Sequence, residues 1–269
     1  MKAISPDISK GQQKFLSEIR RHKFIVQFSR ILILILFIGI WEFSADTGII
    51  DSFIFSSPTK ILLCFWKMVL DKSIFFHMGI TLYETVVSFI ITTIISIFIA
   101  VSLWFSKKLS EILEPYLVVL NSLPKSALAP LLIVWLGATK TTIIVAGMSV
   151  AIFGSILNLY TSFNQTDPGK IKLIYTLRGS KIQALTKVVL PSSVPAILSN
   201  MKVNIGLCLV GVIIGEFLAA RNGLGYLIIY SSQVFKMDWL LMSIVLLCIM
   251  AMGLYALINL LENWCKKRY

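Results

Sequence analysis

Charge is scarce in this chain, and most of it carries one sign. Charged residues make up 14% of the 269, with 25 Lys+Arg against 13 Asp+Glu. A soluble domain carries about 25% charged residues, so an ordinary water-facing surface is excluded. There are 2 histidines, His22 and His77, far apart and outside any Glu/His cluster, so metal-ligand spacing is absent. The four cysteines, Cys64, Cys208, Cys248 and Cys265, have no paired spacing, and Cys208 and Cys248 lie inside apolar runs. All four read as unpaired, structural residues. A phosphate-cradling loop is missing too: Gly169-Lys170 lacks the leading glycine and the following Ser/Thr of that motif. No Gly-x-Ser-x-Gly elbow occurs, and no carboxylate pair shares a helix face. These absences argue against an enzyme and against ATP hydrolysis by the chain itself.

What the chain has instead is apolar length. Hydrophobic residues make up 57%, gathered into runs near the roughly 20 residues that cross a bilayer. Six spans are expected, at 31–47, 77–105, 112–136, 141–163, 201–220 and 239–261. The third is the weakest, because Asn121, Pro124, Lys125 and Pro130 fall inside it. The chain therefore reads as an all-α membrane protein with no room for a separate soluble domain. A basic tail at 1–30, a six-span domain at 31–263 and a basic tail at 264–269 complete the layout. No cleavable leader is expected, since the basic stretch before the first apolar run is too long for one. With both ends in the cytoplasm, 18 of the 25 cationic side chains fall on the cytoplasmic side, as the positive-inside bias requires. The basic excess sits in tails and loops beside spans, where it meets anionic membrane lipid; no nucleic-acid partner is expected. Outside the membrane, a partly amphipathic helix is expected after Pro58, and 221–238 reads as an external loop.

The segment 167–198, inside the loop 164–200, is polar, basic and strongly punctuated. Asp167-Pro168 is a helix start, with a capping side chain and a proline at the first turn. Gly179 is expected to take the left-handed conformation that ends this helix. Ser180 with Gln183 is a capping-box start for a second helix, and Leu190-Pro191 is expected to stop it. Ile171, Ile174, Tyr175 and Arg178 fall at helical spacing and read as one contact face. Two short helices in a cytoplasmic loop suggest a docking surface for a soluble partner.

Small residues recur four apart: Gly147, Ala151 and Ser155 in the fourth span, and Gly211, Gly215 and Ala219 in the fifth. Such stripes let helix backbones approach closely in lipid, within one chain or between chains. Polar residues inside spans are candidate functional positions: Asn121, Asn158, Asn204 and Glu216, with Glu84. Carboxylates on an anion's path would repel it, so Glu84 and Glu216 are expected in structural roles, paired with a cation such as Arg221 or Lys125. Asn121 and Asn204 are the better neutral lining.

The order of short motifs carries a resemblance. Thr166-Asp167-Pro168 through Arg178-Gly179-Ser180 to Val189-Leu190-Pro191 resembles the cytoplasmic loop of permease subunits in bacterial ATP-binding-cassette importers. Leu113-Glu114-Pro115, Leu123-Pro124-Lys125 and the run Pro130 to Gly137 are similar to the third span of the nitrate/sulfonate/taurine/bicarbonate branch. So are Gly215-Glu216-Phe217-Leu218 and Gly223-Leu224-Gly225-Tyr226 after the fifth span, and Ser56-Ser57-Pro58-Thr59 after the first. The resemblance implies a type I importer permease bundle in the bacterial inner membrane with a cytoplasmic coupling helix. It implies a pathway shared with a second permease copy or a paralogous permease, two ATPase subunits that hold ATP and magnesium, and an extracytoplasmic substrate-binding protein. No cofactor is expected on this chain. Asp167, Ile171, Lys172, Ile174, Tyr175, Arg178, Gly179 and Ser180 would make the ATPase-coupling element. One departure stands out. Where the family reads Glu-Ala-Ala, this chain has Lys172-Leu173-Ile174, and the family glycine falls on Arg178. Rival readings are an ion-gradient-driven secondary transporter, which would need mid-membrane carboxylates and repeated halves, or an inert assembly or sensor subunit.

Overall fold

A computed structural model of the chain describes residues 10–266. The parts of the basic tails at 1–9 and 267–269 lie outside the described residues. The chain divides into two compact units, 1–63 and 64–269.

In the first unit, α1 (Lys10–Asp46) is one helix, so the helix of the first span begins well inside the expected tail. Asp51 caps the single turn α2 (Ser52–Phe55) by accepting the Phe53 N–H at 2.8 Å. The helix expected after Pro58 is α3 (Pro58–Leu70), which crosses into the second unit. Its start is held by Glu42, whose carboxylate accepts the Thr59 N–H at 2.9 Å.

The second unit is built on three long helices: α4 (Ser73–Phe105), α7 (Lys140–Asn164) and α10 (Leu190–Ala219), with α7 packed against both others. Between Thr81 and Ala100 the buried residues of α4 are Thr81, Glu84, Thr85, Ser88, Phe89, Thr92, Ser96 and Ala100, mostly small or polar, while Leu82, Ile90, Ile94 and Phe98 are exposed. This inverts a soluble helix. Lipid is as apolar as leucine, so large side chains gain nothing by turning inward, and small or hydrogen-bonding ones hold the interface. Ser88 donates across to the Ile144 carbonyl at 3.0 Å. The small-residue stripes of α7 and α10 meet face to face. A Cβ on Gly211 would lie 2.8 Å from the Ala146 carbonyl oxygen and from the Gly147 Cα, and one on Gly215 would lie 3.0 Å from the Ile143 Cα. Ala151 and Ser155 are buried, and Ala219 joins the cluster of Ile143 and Val212.

Three sequence expectations change. The third span is two helices, α5 (Lys107–Ser122) and α6 (Lys125–Leu136), meeting at 97°. Pro124 causes the break: it forces Leu123 to an extended ψ of 138° and has no N–H to continue α5. Leu190-Pro191 does not stop a helix. α9 (Lys181–Ala184) passes through a π turn at Leu185–Val189 into α10, and Lys181–Ala219 is one continuous helical run of 39 residues. The wider register, with the Leu190 N–H donating to the Leu185 carbonyl, accommodates the proline that an α-helical turn would reject. The segment after α10 also carries a helix, α11 (Leu224–Gln233), packed on α12 (Met237–Lys266). Among the described residues, five helices are long and apolar enough to cross a membrane, six with the bent pair taken as one span.

Candidate functional site

The first candidate region is the elbow between α7 and α10. Asp167 accepts the Gly169 N–H at 2.8 Å and opens α8 (Pro168–Thr176). The close of α8 corrects the sequence reading. The left-handed residue is Arg178, at φ 57°, not Gly179. The Arg178 N–H bonds the Tyr175 carbonyl at 2.9 Å and the Gly179 N–H bonds the Ile174 carbonyl at 2.8 Å. This is a Schellman end with arginine at the position that favours glycine. Gly179 is needed for closeness instead, since a Cβ there would sit 2.8 Å from the Ile174 carbonyl oxygen. The capping box follows: Ser180 N–H to Gln183 Oε1 at 2.8 Å and Gln183 N–H to Ser180 Oγ at 3.3 Å. Lys181 ties the elbow to α4, donating to the Phe105 carbonyl at 2.8 Å with its ammonium 5.5 Å from the Trp104 ring centre.

The expected contact face divides. Ile171 packs against the buried cluster of Ala100, Phe163 and Val189, and Ile174 is half-buried beneath Gly179. Tyr175 and Arg178 remain exposed, as do Lys170 and Lys172. The outward apolar surface is Leu173, Leu177 and Ile182, at 58%, 71% and 64% exposure. Sequence reasoning missed these three. Leu173 and Leu177 are four apart and form a second stripe, and spacing alone does not say which stripe faces the bundle.

The four expected path residues separate into two pairs. Asn204 is buried and donates to Ser155 Oγ at 2.8 Å, beside Asn200, which donates to the same oxygen at 2.7 Å. Together they tie α10 to α7. Glu216 is 1% exposed. Its Oε1 accepts the Thr81 hydroxyl at 2.6 Å and its Oε2 accepts the Gly225 N–H at 2.6 Å. The expected pairing with Arg221 or Lys125 is not made; the carboxylate clips the start of α11 to α4 and α10. Thr81 also accepts the Leu224 N–H at 2.8 Å, and His77 Nδ1 accepts that of Gly223 at 3.0 Å.

Asn121 and Asn158 are exposed and share one face. A Cβ on Gly154 would lie 3.1 Å from Asn121 Oδ1, and Asn158 is one turn along α7 from that glycine. Lys125, half-buried, completes the face. Its ammonium lies 5.1 Å from the Phe153 ring centre and donates to the Leu120 carbonyl, one of those left open where α5 ends.

Lys202, on α10, is held differently. It forms an ion pair with Glu262 on α12, donates to Asn259 Oδ1 at 2.8 Å and lies 5.6 Å from the Tyr255 ring centre.

Comparison with known proteins agrees with this architecture. The protein SsuC of Bacillus subtilis, named for aliphatic sulfonates transport, is 24% identical over 226 residues, 84% of this chain and 82% of its own. ThiX of Halalkalibacterium halodurans, a formylaminopyrimidine transport permease protein, is 26% identical over 242 residues, 88% of this chain and 96% of its own. TauC of Escherichia coli, a taurine transport system permease protein, is 24% identical over 200 residues, 72% of each chain. A chain of the MetNI methionine ABC transporter, in an inward-facing conformation, superimposes with a TM-score of 0.62 at 18% identity, covering 69% of this chain and 92% of its own. At that identity the likeness speaks for the fold. Residues 91–269 match the family described as the binding-protein-dependent transport system inner membrane component. The long apolar helices, the bent third span and the sequence match converge, and the chain belongs to this family of ABC importer permeases.

Proposed function

We propose that this permease lines the solute path of an ATP-driven importer together with a second copy or a paralogous permease, with 31–263 acting as one permease domain. The elbow α8–α9 faces the cytoplasm, where the positive-inside bias puts its lysines and arginine, and it docks on separate ATPase subunits. Those subunits hold ATP and magnesium, and an extracytoplasmic binding protein delivers the solute. The chain itself carries out no hydrolysis. Relatives named for sulfonates, taurine and formylaminopyrimidine favour a small sulfonate-like anion or a vitamin precursor as solute.

One observation carries the reading. The elbow presents Leu173, Tyr175, Leu177 and Ile182 outward, and its second helix, α9, runs without a break through the π turn into α10. A soluble surface does not leave such a cluster bare. A partner that grips it moves α10 directly, and α7 and α12 through packing. Leu177→Asp places a charge in the centre of this patch. The expected outcome is loss of ATPase subunits from the affinity-purified complex while the permease keeps its size-exclusion profile. Undiminished co-purification would remove the docking assignment.

A further inference from the structure

Phe153 is the fourteenth of the 25 residues of α7, roughly 15–20 Å from either end at the helical rise. Lys125 stands over its ring, so this ammonium lies near the middle of the membrane. Among the described residues no carboxylate pairs with it, whereas Lys202 on α10 has Glu262. A cation and two exposed amides at this depth are not stable against hydrocarbon, so the face they share meets water or a polar occupant. The buried carboxylates lie elsewhere: Glu216 is sequestered in the clip at the start of α11, and Glu84 is buried one turn from Thr81 on α4.

We propose that Lys125, with Asn121 and Asn158, forms an oxyanion-recognition station midway along the path, and that the solute of this permease carries an anionic acid group. The ammonium supplies the charge, held in place by the Leu120 carbonyl and the Phe153 ring. Asn121 and Asn158 supply amide groups beside Gly154, whose missing side chain lets Asn121 approach α7: a Cβ there would lie 3.1 Å from Asn121 Oδ1. Dehydration of the anion is offset at this one point, and the station's exposure lets the ion leave again. The inference rests on the importer reading and adds to it the residues that recognise the solute's anionic group.

The test uses the full chain assembled with its ATPase subunits, with the four native cysteines replaced by serine and Asn158→Cys added. The thiol is reacted with the anionic sulfonatoethyl and the cationic trimethylammonioethyl methanethiosulfonates, each rate normalised to a free thiol in solution. The expected result is a preference of roughly tenfold for the anionic reagent. That preference survives in Lys125→Arg and falls to about unity in Lys125→Gln. An arm with Lys125 intact adds excess methanesulfonate, which should slow the anionic reagent, and excess tetramethylammonium, which should not. The proposal is overturned if Lys125→Gln keeps the preference, if methanesulfonate has no effect, or if neither reagent reacts. Co-purification of the ATPase from the same preparations is a separate readout: its loss sinks the importer reading, while a lost charge preference with an intact complex sinks the station alone.

Discussion

Arg178 holds a backbone conformation that L-residues avoid, and Gly179 next to it does not use its freedom of φ at all. Two neighbouring substitutions should therefore act in opposite directions. Arg178→Gly relieves left-handed strain and should stabilise the elbow by up to about 1 kcal/mol. Gly179→Ala drives a methyl into the Ile174 carbonyl and should destabilise it by about 1–3 kcal/mol. Thermal melting of the purified permease, with protease sensitivity of the elbow, reads both signs. Glu216 permits an equally direct test. Glu216→Ala strands the Gly225 N–H in the interior and takes an acceptor from Thr81, with an expected loss of about 1–3 kcal/mol. Because its role is to clip α11, the variant that still folds should keep its preference among solutes, measured as competition between uptake substrates.

At the scale of elements, the ion pair between α10 and α12 is the cleanest target. Lys202→Met leaves Glu262 in a site only 10% exposed at the side chain without its cation, a loss of about 3–5 kcal/mol. Lys202→Met with Glu262→Leu should recover most of it, and chemical denaturation of the four chains gives the coupling. Gly211→Val should separate α7 from α10, because its Cβ alone would already touch backbone at 2.8 Å; a lower melting temperature and loss of assembled complex are expected. The spans themselves were legible in the sequence, since run length and the positions of Asp167-Pro168 and Ser180-Gln183 follow from local chemistry. The 97° bend was signalled by Pro124 but not its angle, which depends on what α6 packs against. The π turn had no local mark beyond Pro191. Which face of α8 points out, and whether Asn204 and Glu216 look into a path or into the bundle, are set by helix rotation. Periodicity cannot fix that rotation when both faces of a membrane helix are apolar.

Across the whole molecule, the polar groups of the helices fall into two sets. Those of Glu216, Asn200, Asn204 and Ser155 are turned inward and tie helices together. Those of Asn121 and Asn158 are left on an exposed face beside Lys125. The elbow leads from its outward patch into α10, the helix that bears the inward ties to α4, α7 and α12. On the proposed function, the elbow transmits ATPase motion into a bundle with no motor of its own. The most direct test reconstitutes the complete transporter with its binding protein in vesicles and measures uptake and ATP hydrolysis together in the parent and in Gly179→Pro. That proline removes the N–H that closes α8 on the Ile174 carbonyl. Hydrolysis is expected to continue while uptake falls to background. Uptake and solute-stimulated hydrolysis both unchanged would contradict this role.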